Sequence, residues 1–468
     1  MTKSLLDSAT LASTNEIKGN SVLILGYGRE GRSAARYINK HHPELRLAIA
    51  DRQAVALEQS LKNAELFTGD EYLSRISDFH TIIRSPGLPP HLPELTEARK
   101  NRCWVTSLTN LFMSLAPGKV IAVSGTKGKS TTSSLIAHLL SEPNNDVRLL
   151  GNIGLPALDG LEGATPETLF VVELSSFQLE DLRYPPHTAV LMNIVPEHLD
   201  YHQTFAEYCR AKSNITLTQT SEQNLISCPN FESLREIIGR SKAKKYFFSL
   251  HPNDSSVAFV GEDEIFLRSS QGHKETLINL NQLPIIGPGN VLNALAAITA
   301  ASSLGISTDY IRTKIKTFTP LPHRLEKIGT FRQISFINDS LSTIPEAAIN
   351  ALEALGPTVH TLICGGHDRG LDYRALGEAL VRSSVKELIL FPSTGEKILT
   401  SCELADHLFR SKIQVHHTDD MKRAIEIAYQ NTPAGKICLM SPASSSLNLF
   451  RDYQERGDLF RRYVEELE

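Results

Sequence analysis

What the sequence lacks excludes several classes at once. Its six cysteines (Cys103, Cys209, Cys228, Cys364, Cys402 and Cys438) are widely spaced and form no CxxC pair. That spacing argues against a zinc cage or a disulfide framework and fits a reducing compartment. No apolar run reaches transmembrane length, so no membrane insertion is expected. The opening MTKSLLDSATLASTNEIKGN has no apolar core of the secretory kind, so no signal peptide is predicted and a cytoplasmic location is expected. There is no excess of either charge: a net −4 gives no reason to expect a nucleic-acid partner, and an anionic substrate must be held by local basic loops. Internal repeats and low-complexity tracts are absent too.

A chain of 468 residues suggests three domains of ordinary size. The first segment, 1–115, opens with the strand-like SVLILGYG and the helical REGRSAARYINK, a Rossmann-like α/β pattern. LAPGK then breaks the chain. The second segment, 116–322, carries the apolar runs KVIAVSG, TLFVVEL and TAVLMNIV, whose continuity suits a parallel sheet covered on both faces. It closes with the helical NVLNALAAITAASSLG and STDYIRTKIKTF. After the proline-marked TPLPHR comes a third α/β domain, 323–468, with strand-like ISFIND, HTLICGG, ELILFPS, IQVHHT and KICLMSP. A last, half-buried helix is expected from about Leu447.

SGTKGKST follows a strand and precedes a helix, the setting of a phosphate-binding loop. Gly125, Thr126, Lys127 and Gly128 offer backbone amides; Lys129 reaches towards the β- and γ-phosphates; Ser130 or Thr131 offers a hydroxyl to magnesium. The longer G-x-x-x-x-G-K-[ST] spacing is not met, because Val123 stands where its first glycine belongs. In the first segment, GYGREG supplies Gly26, Gly28 and Gly31, and Asp51 lies 20 residues further on. By itself this reads as a dinucleotide-binding turn, and an NAD-linked oxidoreductase is the rival it raises. That rival leaves the phosphate loop unexplained.

GTKGKST resembles the compact loop of the Mur ligase superfamily, the ATP-dependent amide ligases of peptidoglycan and folate metabolism. GNIGLP (151–156), VVELSSFQLE (171–180), NIVPEHLDYH (193–202), LPHR (321–324), NDSLST (338–343) and SPASSSLNLFRDYQERG (441–457) follow in order and are similar to its glutamate-adding branch. The resemblance implies a three-domain enzyme, amino-terminal Rossmann-like, central P-loop ATPase-type and carboxy-terminal Rossmann-like. It would transfer the ATP γ-phosphate to the carboxylate of UDP-N-acetylmuramoyl-L-alanine and add glutamate to the acyl phosphate. ATP and two Mg2+ ions are the implied cofactors, and a monomer is expected.

The same resemblance assigns residues. Magnesium falls to Ser130, Glu173, His198 and Lys212. By pattern alone Lys212 is a solvated lysine on an amphipathic helix, and an ammonium cannot ligate a cation. The family carbamylates the lysine of this Y-x-x-A-K helix, matched here by YCRAK. Asn290, Arg324 and Asp339 are implied at the nucleotide, and His323 near the reaction centre. Arg29, Asp51, Arg52, Ser85, Gly87 and Asn152 join the three glycines around the UDP-sugar. Thr343, Arg369, Ser446 and Tyr453 are implied for glutamate.

Departures from the family pattern are local. Gly289 stands for a histidine, Leu341 for a lysine, Arg369 for another lysine and Tyr453 for a phenylalanine. D-Glutamate is the family default, while NDSLSTIP with GGHDRGLDY also resembles a subgroup adding L-glutamate. A folylpolyglutamate-synthase-like ligase is the remaining alternative, and it would lack the UDP-binding first segment.

Overall fold

A computed structural model describes residues 16–269 and 272–467. The first fifteen residues, which fall in the stretch tested for a signal peptide and in the first proposed domain, lie outside the described residues. Among those described, no helix is long and apolar enough to cross a membrane.

The first sheet is wholly parallel, in the order β3-β2-β1-β4-β5. It comprises β1 (Ser21–Leu25), β2 (Arg46–Asp51), β3 (Glu65–Thr68), β4 (Thr81–Arg84) and β5 (Trp104–Ser107). β1 and β4 are buried at every position, which explains their unbroken apolar runs.

Nine strands form the second sheet: β6 (Lys119–Ser124), β7 (Val147–Gly151), β8 (Leu169–Glu173), β9 (Thr188–Leu191), β10 (Asn224–Ser227), β11 (Lys244–Ser249), β12 (Ser256–Gly261), β13 (Glu264–Arg268) and β14 (Lys274–Asn279). Their order is β14-β13-β12-β11-β10-β9-β6-β8-β7. The expected parallel core is present, but β12, β13 and β14 add an antiparallel edge that the sequence reading did not contain. β12 and β13 mix buried with half-buried positions, β14 opens on three exposed ones, and all three lack the long apolar runs of the core.

The third sheet runs β15-β16-β20-β17-β18-β19. Its members are β15 (Glu326–Phe331), β16 (Ile334–Asn338), β17 (Val359–Gly365), β18 (Glu387–Phe391), β19 (Gln414–His417) and β20 (Ile437–Met440). All pairs are parallel except β15–β16, an antiparallel edge also unforeseen. The last helix is Tyr453–Glu465, starting six residues after the expected Leu447. Asp452 caps it, its carboxylate accepting from Glu455 N at 2.8 Å, so the apolar Leu447 and Phe450 precede the helix.

Contacts gather these sheets into two compact units: residues up to Gln282 with Leu292–Thr317, and Leu283–Val291 with Phe318 onwards. The first and second sheets share the first unit because one apolar core runs through both, joining Val22, Ile24 and Phe112 to Val120 and Phe170. Buried polar ties reinforce it. Arg84, fully buried, pairs bidentately with Asp181 at 2.8 and 3.1 Å. Asn110 donates to Asp181 O and accepts from Arg183 N, both at 2.9 Å.

Candidate active site

In the first unit the phosphate loop sits at the carboxyl end of β6, and the helix Lys129–Leu140 follows it. Two of its glycines are dictated by space. Gly128 has φ +84°, and a Cβ there would lie 2.2 Å from Asn293 Oδ1; at Gly125, φ +142°, a Cβ would lie 2.6 Å from Met192 Cβ. Thr126 is locked by Val195, exchanging two hydrogen bonds of 3.0 Å, and its hydroxyl lies 3.1 Å from the Tyr208 phenol. Lys129 Nζ donates to Thr126 O at 2.7 Å, folded back over the loop it is expected to serve. Lys127 pairs with Glu197 at 2.6 Å. Ser130 is half-buried and Thr131 buried.

Beside the loop lie the residues expected to hold magnesium. Glu173 ends β8, is buried, and its Oε2 has no hydrogen-bond partner among the described residues. An orphaned buried carboxylate oxygen is costly unless something cationic completes it. Lys212, on the helix Phe205–Leu217, is 1% exposed rather than solvated. Its Nζ lies 3.4 Å from Ser124 Oγ and 4.8 Å from the Tyr208 ring centroid. Burial, reinforced by the Lys129 charge and opposed by Glu197 and Glu173, pushes its ammonium down to about 7. His198 adopts φ +54° at the start of the short helix Leu199–His202, exposed, with its ring 5.0 Å from Phe177. No cluster of three His, Cys, Asp or Glu forms a cage among the described residues. One carboxylate with hydroxyls and substrate phosphates is nonetheless a set that suits magnesium.

The first sheet offers a second anion-binding turn. Asp51 accepts from Tyr27 N at 2.7 Å and Gln53 N at 2.8 Å, pinning the GYG turn to the end of β2. A Cβ on Gly31 would lie 1.9 Å from Gly26 O, and Ser85 Oγ donates to the same oxygen at 3.1 Å. Gly28 caps the helix Arg29–His41. Arg29 reaches the carbonyls of Gly151 and Gly154, which brings it to the GNIGLP turn. Arg52, Gly87 and Asn152 are exposed.

In the second unit the expected residues surround the carboxyl ends of β16 and β20. Asp339 is fully engaged: it accepts from Ser342 Oγ at 2.5 Å, Ser441 Oγ at 2.8 Å and Leu325 N at 3.1 Å, and burial pushes its carboxyl up to about 6. His323, expected near the reaction centre, is 6% exposed. It is held by Glu326 (2.9 Å to its N–H) and Asn338 (3.1 Å to Nδ1) against Gly457, and burial lowers its pKa. Tyr453 packs 6.2 Å from that ring. Arg324 and Thr343 are half-buried, Ser446 is buried, and the exposed Arg369 donates to Thr343 O at 3.3 Å. Asn290 falls in this unit, its side chain donating to Ile286 O at 2.8 Å.

Sequence reasoning missed Asn293, Tyr208 and Arg456. The first two brace the phosphate loop from distant helices, and Arg456 is wholly buried. All three fall inside stretches quoted above (NVLNALAAITAASSLG, YCRAK and SPASSSLNLFRDYQERG), but nothing in those patterns gives them a role.

Three family models cover the chain: Mur ligase MurD-like, N-terminal domain, over residues 20–107; Mur ligase middle domain, over 123–301; and Mur ligase, glutamate ligase domain, over 323–444. The UDP-N-acetylmuramoylalanine–D-glutamate ligase of Acidobacterium capsulatum is 33% identical over 96% of this chain and 97% of its own. The chain belongs to the Mur ligase family. The same-named ligase of Koribacter versatilis is 31% identical, covering 97% of this chain and 98% of its own. Among solved structures, MurF of Acinetobacter baumannii matches with a TM-score of 0.60 at 17% identity, over 96% of this chain and 92% of that one. The MurF ligase of Thermotoga maritima, in complex with ADP, gives 0.57 at 18%, over 97% of each. These likenesses carry the fold. As a Mur ligase the protein is an ATP-dependent, amide-bond-forming enzyme of a family that builds peptidoglycan precursors.

Proposed function

We propose that this Mur ligase adds glutamate to UDP-N-acetylmuramoyl-L-alanine, D-glutamate being the acceptor in the names of its relatives. The observation that carries the reading is the buried Lys212 beside the phosphate loop, with the unpartnered carboxylate oxygen of Glu173 on the neighbouring strand. ATP phosphorylates the alanyl carboxylate; the amine of glutamate attacks the acyl phosphate and phosphate leaves from the tetrahedral intermediate. Lys129 and the amides from Gly125 to Gly128 hold the β- and γ-phosphates, and Asn290, Arg324 and Asp339 serve the nucleotide. The GYG turn, with Arg29, Asp51, Ser85 and Asn152, holds the UDP-sugar. Thr343, Arg369, Ser446 and Tyr453 hold glutamate, and His323 serves as a catalytic residue near the reaction centre.

Ser130, Glu173, His198 and carbamylated Lys212 would hold two Mg2+ ions. When bound, these offset phosphate charge and polarise the transferring group. The carbamate forms from the neutral amine and carbon dioxide: an N–C bond forms, one C=O bond becomes a carboxylate, and a proton leaves to solvent. We further propose domain limits of 1–115, 116–322 and 323–468, a monomeric state and a cytoplasmic location. An L-glutamate acceptor is the second reading, favoured by Leu341 and Arg369 in place of the family's lysines.

Phosphate release from ATP, assayed with UDP-N-acetylmuramoyl-L-alanine and each glutamate enantiomer in parallel, tests all of this. Release should require Mg2+ and one enantiomer, and should vanish in a folded Lys129→Ala. Release indifferent to the amino acid, or retained in that variant, would overturn the reading.

A further inference from the structure

Among the described residues two arginines are fully buried, and they differ in one respect. Arg84 has Asp181 as counter-ion. Arg456 has no carboxylate within ion-pair distance among the described residues, and burial pushes its guanidinium down to about 9. Its hydrogen bonds go instead to two loops of the second unit. Nε donates to Ser340 Oγ at 3.0 Å and Nη2 to Ser340 O at 2.8 Å, while Nη1 donates to Ser444 O at 3.0 Å. Ser340 lies in the loop after β16 that carries Asp339 and Thr343; Ser444 lies in the loop after β20 that carries Ser446. The end of β17 closes in as well. A Cβ on Gly366 would lie 2.3 Å from Ser445 O and 3.4 Å from Arg456 Nη1. The guanidinium therefore sits where three parallel strands end, the usual place for a ligand on such a sheet.

A buried cation without a counter-ion destabilises a fold, and an apolar side chain would fill the space without that cost. A charge kept there calls for an anion that arrives with the substrate. The acceptor amino acid brings two carboxylates and is proposed to bind Thr343 and Ser446, which these two loops carry, whereas the phosphates of ATP are proposed at the Lys129 loop and the UDP-sugar at the GYG turn. We infer that Arg456 is a positioning residue for the acceptor amino acid. It holds the Ser340 and Ser444 loops in register, and its charge is completed by an acceptor carboxylate. The inference rests on the proposed ligase reading and deepens it.

The test uses the full chain with Arg456→Met and Arg456→Lys, reading KM for all three substrates. Arg456→Met should raise the KM for glutamate about tenfold or more and leave that for UDP-N-acetylmuramoyl-L-alanine within about twofold, with the KM for ATP, whose Asp339 contact shares the Ser340 loop, rising several-fold less than that for glutamate. Arg456→Lys keeps the charge but loses the planar fork, so it should recover part of the glutamate KM. An equal rise for all three substrates, or an unchanged glutamate KM, would overturn the role. If Arg456→Met does not fold, Arg456→Lys carries the decision: a rise confined to glutamate supports the inference, and a uniform or absent change defeats it. Wild-type enzyme that releases no phosphate in response to either glutamate enantiomer would instead defeat the ligase reading, and the inference with it.

Discussion

Lys212 offers the sharpest test of the site. An ordinary lysine titrates at 10.5, and here burial brings the group to about 7. At pH 7 roughly one ordinary lysine in three thousand is neutral, whereas about half of the Lys212 side chains would be. The supply of free amine, the form that captures carbon dioxide, rises by roughly a thousandfold. Activity should therefore fall in buffer stripped of carbon dioxide and return with bicarbonate. Lys212→Ala should be nearly inactive and partly rescued by short-chain carboxylic acids, while Lys212→Arg should stay inactive because guanidinium supplies no oxygen donor. Labelled bicarbonate should give a carbamate carbonyl signal by NMR in wild type alone. Stability carries the same signature. The folded-state pKa is depressed, so the contribution is present above 10.5 and lost as pH falls through about 7. A shift of 3.5 units is worth roughly 5 kcal/mol at 1.36 kcal/mol per unit. Denaturant unfolding of wild type minus Lys212→Met, in buffer stripped of carbon dioxide so that the amine is free, should show that rise between pH 7 and 10. Full activity of Lys212→Arg, or a flat difference across that range, would refute the reasoning.

Three further outcomes follow from geometry. Arg369→Ala should raise the glutamate KM by an amount worth about 2 kcal/mol, with ATP and UDP-sugar little changed; equal losses for all three would make Arg369 structural. Gly31→Ala places a methyl 1.9 Å from Gly26 O, so it should cost roughly 1–3 kcal/mol of stability and weaken UDP-sugar binding, read by thermal unfolding and KM. Asp339 has a folded-state pKa raised from 3.8 to about 6, so its contribution is present below pH 3.8 and lost as pH rises through 6. Wild type should lose stability relative to Asp339→Asn across that window, and a constant difference would contradict the buried-carboxylate account.

Much of this was legible in the chain itself, for physical reasons. SVLIL and KVIAVS are buried on both faces of parallel sheets, so their apolarity is continuous and their strands stand out. Gly125 and Gly128 announce a turn that no other residue fits. The antiparallel β12–β14 edge did not stand out, because half-exposed short strands carry a weak pattern. Leu447–Phe450 looked helical through its apolar residues, yet the Asp452 cap decided the start. Burial of Lys212 and Arg456 was invisible for a different reason. A charged residue in a helical pattern reads as solvent-facing, and the groups that lie against these two include Tyr208, one turn before Lys212 on the same helix, and Ser124, Ser340 and Ser444, which are further off in sequence.

The ties between the first and second sheets have a consequence for exchanging modules between enzymes. The first sheet looks like a cassette that recombination or a protein engineer could replace to change the nucleotide-sugar recognised. Yet among the described residues its Arg84 has Asp181 as its ion-pair partner, and Asn110 satisfies backbone groups of Asp181 and Arg183, both of which lie inside the middle family segment. A transplant cut at residue 115 would strand the buried Arg84 guanidinium, or its half-buried Asp181 partner, on one side of the junction. A workable graft therefore carries the 177–184 segment along with the sheet, so the unit that can be inherited or swapped is larger than the sheet proposed to bind the sugar nucleotide.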